Sequence, residues 1–389
     1  VDWNLSRSRF WGTPLPIWRT EDGSEECCIG SIAELNEGLK KSVEAGFMDA
    51  SFEIKDMHRP YVDDVILVSP SGKKMFREAD LIDVWFDSGA MPYAQWHFPF
   101  ENKGEFKNAY PADFIAEGVD QTRGWFFTLH AIAVMLNETS DEIKEINLQI
   151  GNPGVAFKNV VSNGLVLDKN GNKMSKRLGN GIDPFETIEK YSADASRWYM
   201  ISNAAPWDNL KFNLDGIDEV RRKFFGTLHN TYSFFSLYAN IDGFTYREAE
   251  IENSEKPEID RWVMSLLNSL SKEVDGYYED FEPTKAARAI QNFVDENLSN
   301  WYVRLCRRRF WKGEYSKDKI SAYQTLYTCL ITVAKLMSPI APFFSDRLFL
   351  DLNAVTKKET VESVHLADFP EYRGNLVDPT LEERMALAQ

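Results

Sequence analysis

The chain has 389 residues, enough for two or three domains with full-sized cores. Hydrophobic residues make up 43% and recur periodically, so nothing in it has the long uncharged run of a bilayer span. A formal net charge of -16 argues against a protein that coats nucleic acid through accumulated Lys and Arg, although screening to about 8 Å at physiological salt permits a local basic site.

The chain opens at Val1 without an initiator methionine or a signal-peptide pattern, and it reads as a piece of something longer. Residues 1 to 205 mix short β-rich and helical runs, with a polar stretch at about 20–80 that reads as a small inserted module. Cys27 and Cys28 lie in it; with no CxxC pair and four cysteines in all, neither a disulfide framework nor zinc is expected, and the setting is predicted to be reducing and cytoplasmic. Strands are predicted around "LIDVWF" (81–86), at "DFIAEG" (113–118) and at "VVSNGLVLD" (160–168), each closed by turn residues. Between the last two, "TRGWFFTLHAIAVML" is apolar on nearly every face and predicts a buried helix. Strand, helix, strand predicts a parallel sheet in an α/β domain.

A turn over Asp168–Gly171 then leads into "GNKMSKRLGN" (171–180), where Lys173, Lys176 and Arg177 crowd between glycines without an acidic neighbour. Most short basic runs are solvated turns. A lysine on a mobile loop can also swing over a triphosphate and neutralise charge building on the transferring phosphorus. No Walker pattern fits these residues, so a P-loop is not expected.

After "NAAPWDNLKF" the pattern turns helical. Four amphipathic helices are predicted, carrying Ile217, Val220, Phe224, Leu228 and Phe235; Ile259, Trp262, Leu266, Leu270, Val274 and Tyr277; Ile290, Phe293, Leu298, Trp301 and Leu305; and Ile320, Tyr323, Leu330, Val333 and Met337. Residues 247–258 read as the linker between the first two, and residues 206–389 as a helical bundle. Arg304, Arg307 and Arg308 share one helical face, which is either a solvated surface paired with neighbours such as Glu296 or a ridge for RNA phosphate.

"KMSKR" resembles the second signature of the class I aminoacyl-tRNA synthetases. "SRSRFWGTPLPIW" (6–18), "DVWFDSGAMPYA" (83–94), "AEGVDQTRGWF" (116–126) and "NWYVRLCRRRFW" (300–311) resemble the isoleucyl branch of that family. The valyl and leucyl branches share the architecture, with valyl the alternative, as is a noncatalytic tRNA-binding relative. The resemblance implies an α/β part, residues 1–205, that is the C-terminal half of a Rossmann-like catalytic domain, and an all-α anticodon-binding part, residues 206–389. It implies ATP with Mg2+, isoleucine and tRNA(Ile) as partners, and neither membrane nor DNA.

Residue by residue, the resemblance gives Lys173 and Lys176 catalytic roles on the ATP phosphates, with Met174 and Ser175 beside them. Glu117, Gly118, Asp120 and Gln121 match the adenylate-binding segment, where carboxylates accept bonds from ribose hydroxyls. Trp85 and Trp125 match the walls of the isoleucine pocket, whereas a tRNA contact for Arg304, Arg307 and Arg308 rests on their shared helical face. Without the resemblance, helix capping would be the ordinary use of Glu117 and Asp120, and core packing that of the tryptophans. Arg177 stands where many relatives have serine. No HxGH signature and no editing insertion occur, so the 389 residues alone are expected to be inactive in adenylate formation. Relatives place zinc-binding cysteine pairs where this chain has "RTEDGS" and "VSPSGK", and oxygen side chains there make a structural zinc unexpected.

Overall fold

The computed structural model describes residues 3–389, except for the side chain of Lys176. Contacts divide the chain into two compact units, Val1–Ser162 and Asn163–Gln389.

The first unit begins with β1 (Ser6–Arg7) and a small module of β2 (Ile17–Thr20), β3 (Glu26–Cys28), α1 (Ile32–Glu44), β4 (Leu67–Val68) and β5 (Lys74–Arg77). Its strands form an antiparallel sheet in the order β3-β2-β5-β4. Trp18, Leu35, Val62, Val65, Leu67 and Met75 give the module a core of its own, and the buried Trp18 indole donates to the Val65 carbonyl at 2.9 Å. The two turns singled out in the sequence are cross-linked by polar side chains. Lys73 Nζ donates to Asp22 at 2.6 Å, and Ser69 Oγ to Glu25 at 2.7 Å. The Lys73 ammonium bonded to Asp22 holds that carboxyl well below the usual carboxylate range.

β6 (Leu81–Ile82) pairs antiparallel with β1. The strand expected over 81–86 lasts only these two residues, because Asp83 ends it: its carboxylate accepts from the Trp85 backbone N–H at 3.3 Å and starts α2 (Val84–Gly89). The short helices α3 (Met91–Ala94) and α4 (Lys103–Ala109) follow. β7 (Ala112–Gly118) is connected through α5 (Trp125–Thr139) and α6 (Asp141–Ile150) to its neighbour β8 (Phe157–Asn163). α5 departs from the all-round burial expected of it. Phe126, Leu129, Ile132 and Ala133 are buried, whereas Phe127, Val134 and Met135 are exposed. Its inner face packs on α2 so closely that a Cβ on Gly89 would stand 2.9 Å from Thr128.

In the second unit, β9 (Val166–Leu167) continues the third expected strand after a break at Gly164. α7 (Pro184–Tyr191) and α8 (Ala193–Asn203) lead to β10 (Leu210–Lys211), which pairs parallel with β9. α9 (Leu214–Val220) runs through a π-helical turn into α10 (Gly226–Asp242). α11 (Glu258–Glu279) is the second long helix, and α12 (Pro283–Asn292) joins α13 (Arg304–Trp311) through π-helical residues 293–303. α14 (Lys317–Met337) is the fourth, and the sequence pattern did not mark α15 (Pro342–Thr356) or α16 (Pro379–Ala388). Phe224, Trp262, Tyr302, Tyr323 and Phe349 fill the bundle core, and Trp198 of α8 belongs to the same core. Leu305, expected on a buried face, is exposed. Among the described residues no helix is long and apolar enough to cross a membrane.

Candidate functional site

In the first unit five of the expected site residues gather at the carboxyl end of β7, the end of a strand where open α/β sheets collect ligands. β7 closes on Gly118 and a 3-10 turn, Val119–Arg123, carries the chain into α5. A Cβ at position 118 would stand 2.6 Å from Asp120 Oδ1, so glycine there leaves the carboxylate its place. Gln121 works in two directions: its Nε2 donates to Asp120 Oδ2 at 3.4 Å and its Oε1 accepts from the Trp125 backbone N–H at 3.1 Å. Gln121, rather than Glu117 or Asp120, therefore satisfies the start of α5. Both carboxylates, Glu117 at the end of β7 and Asp120 in the turn, are exposed and within reach of a ligand.

The Trp125 indole N–H donates to the Ser88 carbonyl of α2 at 3.1 Å, and its ring leans on the cluster of Ile115, Phe126 and Leu129. Trp85, also on α2, is 40% exposed, and its ring reaches within 3.3 Å of where a Cβ on Gly124 would lie. Trp85 forms part of the wall of a cavity of about 570 Å3 with Arg7, Trp11, Asp83 and Asp87; Trp125 does not. Burial raises the Asp87 carboxyl pKa above its ordinary value, while a bond from Thr13 Oγ1 at 3.2 Å opposes that.

In the second unit the basic run is not a loose tether. Leu167 and Lys173 form an isolated β-bridge, so the run turns back on the end of β9. Asp168 Oδ1 accepts from the backbone N–H groups of Asn170 at 2.9 Å and Asn172 at 2.8 Å. Asn180 Nδ2 donates to Asp168 Oδ2 at 3.0 Å, and Asn180 Oδ1 accepts from the Ser175 N–H at 2.9 Å. The Asn180 amide, followed by the N–H of Asn172, brings the Asp168 carboxyl pKa down to about 2. Ser175 Oγ accepts from Leu178 N–H at 3.3 Å. Met174 lines an apolar cavity of about 360 Å3 with Val166, Ile182, Ile188, Met200 and Phe212. Lys173 and Arg177 are exposed. The Lys176 side chain lies outside the described residues.

On α13 the arginines separate into two kinds. Arg304, Arg307 and Arg308 are exposed and have no ion pair among the described residues; Glu296 is bonded by Asn300 at 3.4 Å instead. Arg309, which the sequence pattern did not single out, turns inward. Sequence reasoning also passed over Asn180. Its one signal is an amide placed just beyond a glycine-bracketed run that needs its backbone groups satisfied.

Among the described residues no group of three or more His, Cys, Asp or Glu side chains is placed to hold a metal ion. The family described as tRNA synthetases class I (I, L, M and V) matches residues 1–213, and that described as anticodon-binding domain of tRNA ligase matches residues 260–389. The whole chain is 69% identical to an isoleucine-tRNA ligase of Cytophaga hutchinsonii and 62% identical to one of Bacteroides thetaiotaomicron, covering 34% of each. The chain thus spans about a third of the length of the curated relatives it matches. A LeuRS-tRNA-LeuAMS ternary complex from Agrobacterium radiobacter K84 superimposes with a TM-score of 0.68 at 18% identity, over 97% of this chain and 43% of that one.

Proposed function

The chain belongs to the class I tRNA synthetases, and from that premise we propose that the protein containing it activates isoleucine with ATP and transfers it to tRNA(Ile). The observation that carries this reading is the 69% identity to an isoleucine-tRNA ligase along the entire chain, a span that includes the basic run at 171–180. Residues 1–205 supply the later part of the catalytic domain and residues 206–389 the tRNA-recognising part.

The isoleucine carboxylate attacks the α-phosphate of Mg-ATP, pyrophosphate leaves, and a terminal ribose hydroxyl of tRNA then takes the aminoacyl group. Little covalent chemistry is asked of the protein, so its residues act by positioning and by neutralising charge. Lys173 and Lys176 meet the negative charge that grows on the phosphates. Glu117 and Asp120 accept hydrogen bonds from the ribose hydroxyls, Gly118 lets the backbone come close, and Gln121 lies by the aminoacyl group. Trp85 and Trp125 offer apolar surface to the isoleucine side chain. Arg304, Arg307 and Arg308 hold tRNA phosphates; their exposure, and their lack of ion pairs among the described residues, support that role.

Exchange of pyrophosphate into ATP tests the reading. The full-length protein is expected to exchange with isoleucine and far more weakly with valine, since one methylene in an apolar pocket separates them by roughly 1 to 3 kcal/mol; the isoleucine and valine pair is the standard worked case of that limit. A preference for valine would assign the protein to the valyl branch. The 389 residues alone are expected to give no exchange.

A further inference from the structure

The proposed reaction asks Lys173 and Lys176 to meet phosphate charge, and a loop that does so avoids an ordering cost at that moment only if its shape is already set. Its glycines work against this: Gly171 and Gly179 sit at φ of +87° and +61°, which glycine adopts without strain, and their lack of a Cβ leaves other conformations open at both ends of the run. The opposing contribution comes from two side chains that flank the run. Asp168 collects the N–H groups of Asn170 and Asn172 on one oxygen, and on the other accepts Asn180 Nδ2 at 3.0 Å and Asn172 Nδ2 at 3.3 Å. Asn180 in turn reaches the Ser175 N–H at 2.9 Å and the Lys173 carbonyl at 3.3 Å. One amide therefore contacts residues 168, 173 and 175, and Met174 anchors the same stretch through its apolar wall.

We propose that Asp168 and Asn180 are positioning residues for the adenylate-forming step, a side-chain clasp that fixes the backbone of residues 171–180 so that Lys173 and Lys176 are presented to the nucleotide in one arrangement. The inference rests on the proposed function. Neither residue touches substrate; both act through the lysines. The direction of the bond matters, because Asp168 can only accept and Asn180 must donate to it.

The test uses the full-length protein and four variants: Asn180→Ala, Asn180→Asp, Asp168→Asn, and Asp168→Asn combined with Asn180→Asp. Asn180→Asp keeps an acceptor for Ser175 but sets a carboxylate against Asp168. The double variant restores a donor and acceptor pair in the reverse direction. In isoleucine-dependent pyrophosphate exchange, Asn180→Asp is expected to lower kcat/KM for ATP by roughly 10- to 100-fold while leaving KM for isoleucine within about two-fold. The double variant is expected to recover roughly ten-fold of that loss. Trypsin nicking after Lys173, Lys176 or Arg177 is expected to speed up in both Asn180 variants and to slow again in the double variant, with thermal midpoints unchanged. Wild-type ATP kinetics in the Asn180 variants, a double variant no better than Asn180→Asp, or an equal loss toward isoleucine would each overturn the clasp. If the wild-type protein shows no isoleucine-dependent exchange, the functional reading fails by itself, and the order of nicking rates still decides for or against the clasp.

Discussion

Arg309 of α13 closes a two-pronged fork on Asp260 of α11, Nη1 to Oδ1 at 2.6 Å and Nη2 to Oδ2 at 2.8 Å, with the carboxylate fully buried. Tyr302 Oη at 2.9 Å and Ser321 Oγ at 2.6 Å complete the shell around the same carboxylate. Four segments of the bundle thus meet at one charge, and a second carboxylate, Asp318, holds the outer side of the guanidinium at 3.0 Å.

Removing one partner of such a pair leaves a buried charge uncompensated. Arg309→Met is expected to lower unfolding free energy by about 3 to 5 kcal/mol, read from urea denaturation. A loss under about 1 kcal/mol would mean that Tyr302 and Ser321 suffice to hold Asp260.

The neighbouring arginines should behave in the opposite way. Replacing Arg304, Arg307 and Arg308 together by Gln is expected to shift stability by no more than about 0.5 kcal/mol per site, because none is ion-paired among the described residues. The same variant of the full-length protein is expected to bind tRNA less tightly, with a salt dependence shallower by roughly one for each phosphate left without its arginine. Unchanged salt dependence would show that the ridge is a solvated face.

Asp295 links stability to pH. Burial first, then neighbouring Glu296, pushes its carboxyl up to about 6 from an ordinary 3.8, while Gln291 and Lys223 pull it the other way. The fold therefore favours the protonated acid. Its contribution is full below pH 3.8 and is lost as pH rises through 6. Asn at position 295 carries no charge to bury, so the difference in thermal midpoint between Asp295→Asn and wild type is expected to be near zero at about pH 4 and to grow to a few degrees by about pH 7. A difference that does not change across this window would contradict the assignment.

Gly89 lets α2 approach α5, and with it sets where Ser88 receives the Trp125 indole. Gly89→Ala is expected to cost about 1 to 3 kcal/mol, since the new methyl would meet the Thr128 backbone carbon and Cβ as well as Ile132 Cδ1, each at 2.9 Å, and the backbone carbon cannot turn aside as the Ile132 methyl can. Gly104→Ala, on α4 with open space at its Cβ, serves as the control, and calorimetry is expected to find it neutral or slightly stabilising.

The fold class, α/β followed by all-α, the long amphipathic helices and the family were legible in the sequence because each rests on local pattern. Apolar residues at helical spacing, such as Trp262, Leu270 and Val274, are buried as that spacing requires. Apolar content alone misled twice. "LIDVWF" has strand composition, but the Asp83 carboxylate capping Trp85 turns it into a helix start after two residues. α5 is apolar all round, yet only one face has packing partners in the first unit. The compact units divide at Ser162, upstream of the composition change near 205, because Tyr191, Ala195 and Trp198 pack into the bundle core.

The sequence by itself determined which residue types were present for the proposed chemistry: two lysines between glycines, two carboxylates around the end of a strand, tryptophans near them in the chain. Tertiary structure alone decided which of four arginines on α13 becomes structural, because its partner, Asp260, lies 49 residues away on another helix. It alone assigned Gln121 to the start of α5 and Asn180 to the basic run. A hydrogen bond is decided by distance and direction over a few ångströms, and only the folded backbone brings residues remote in sequence within that range.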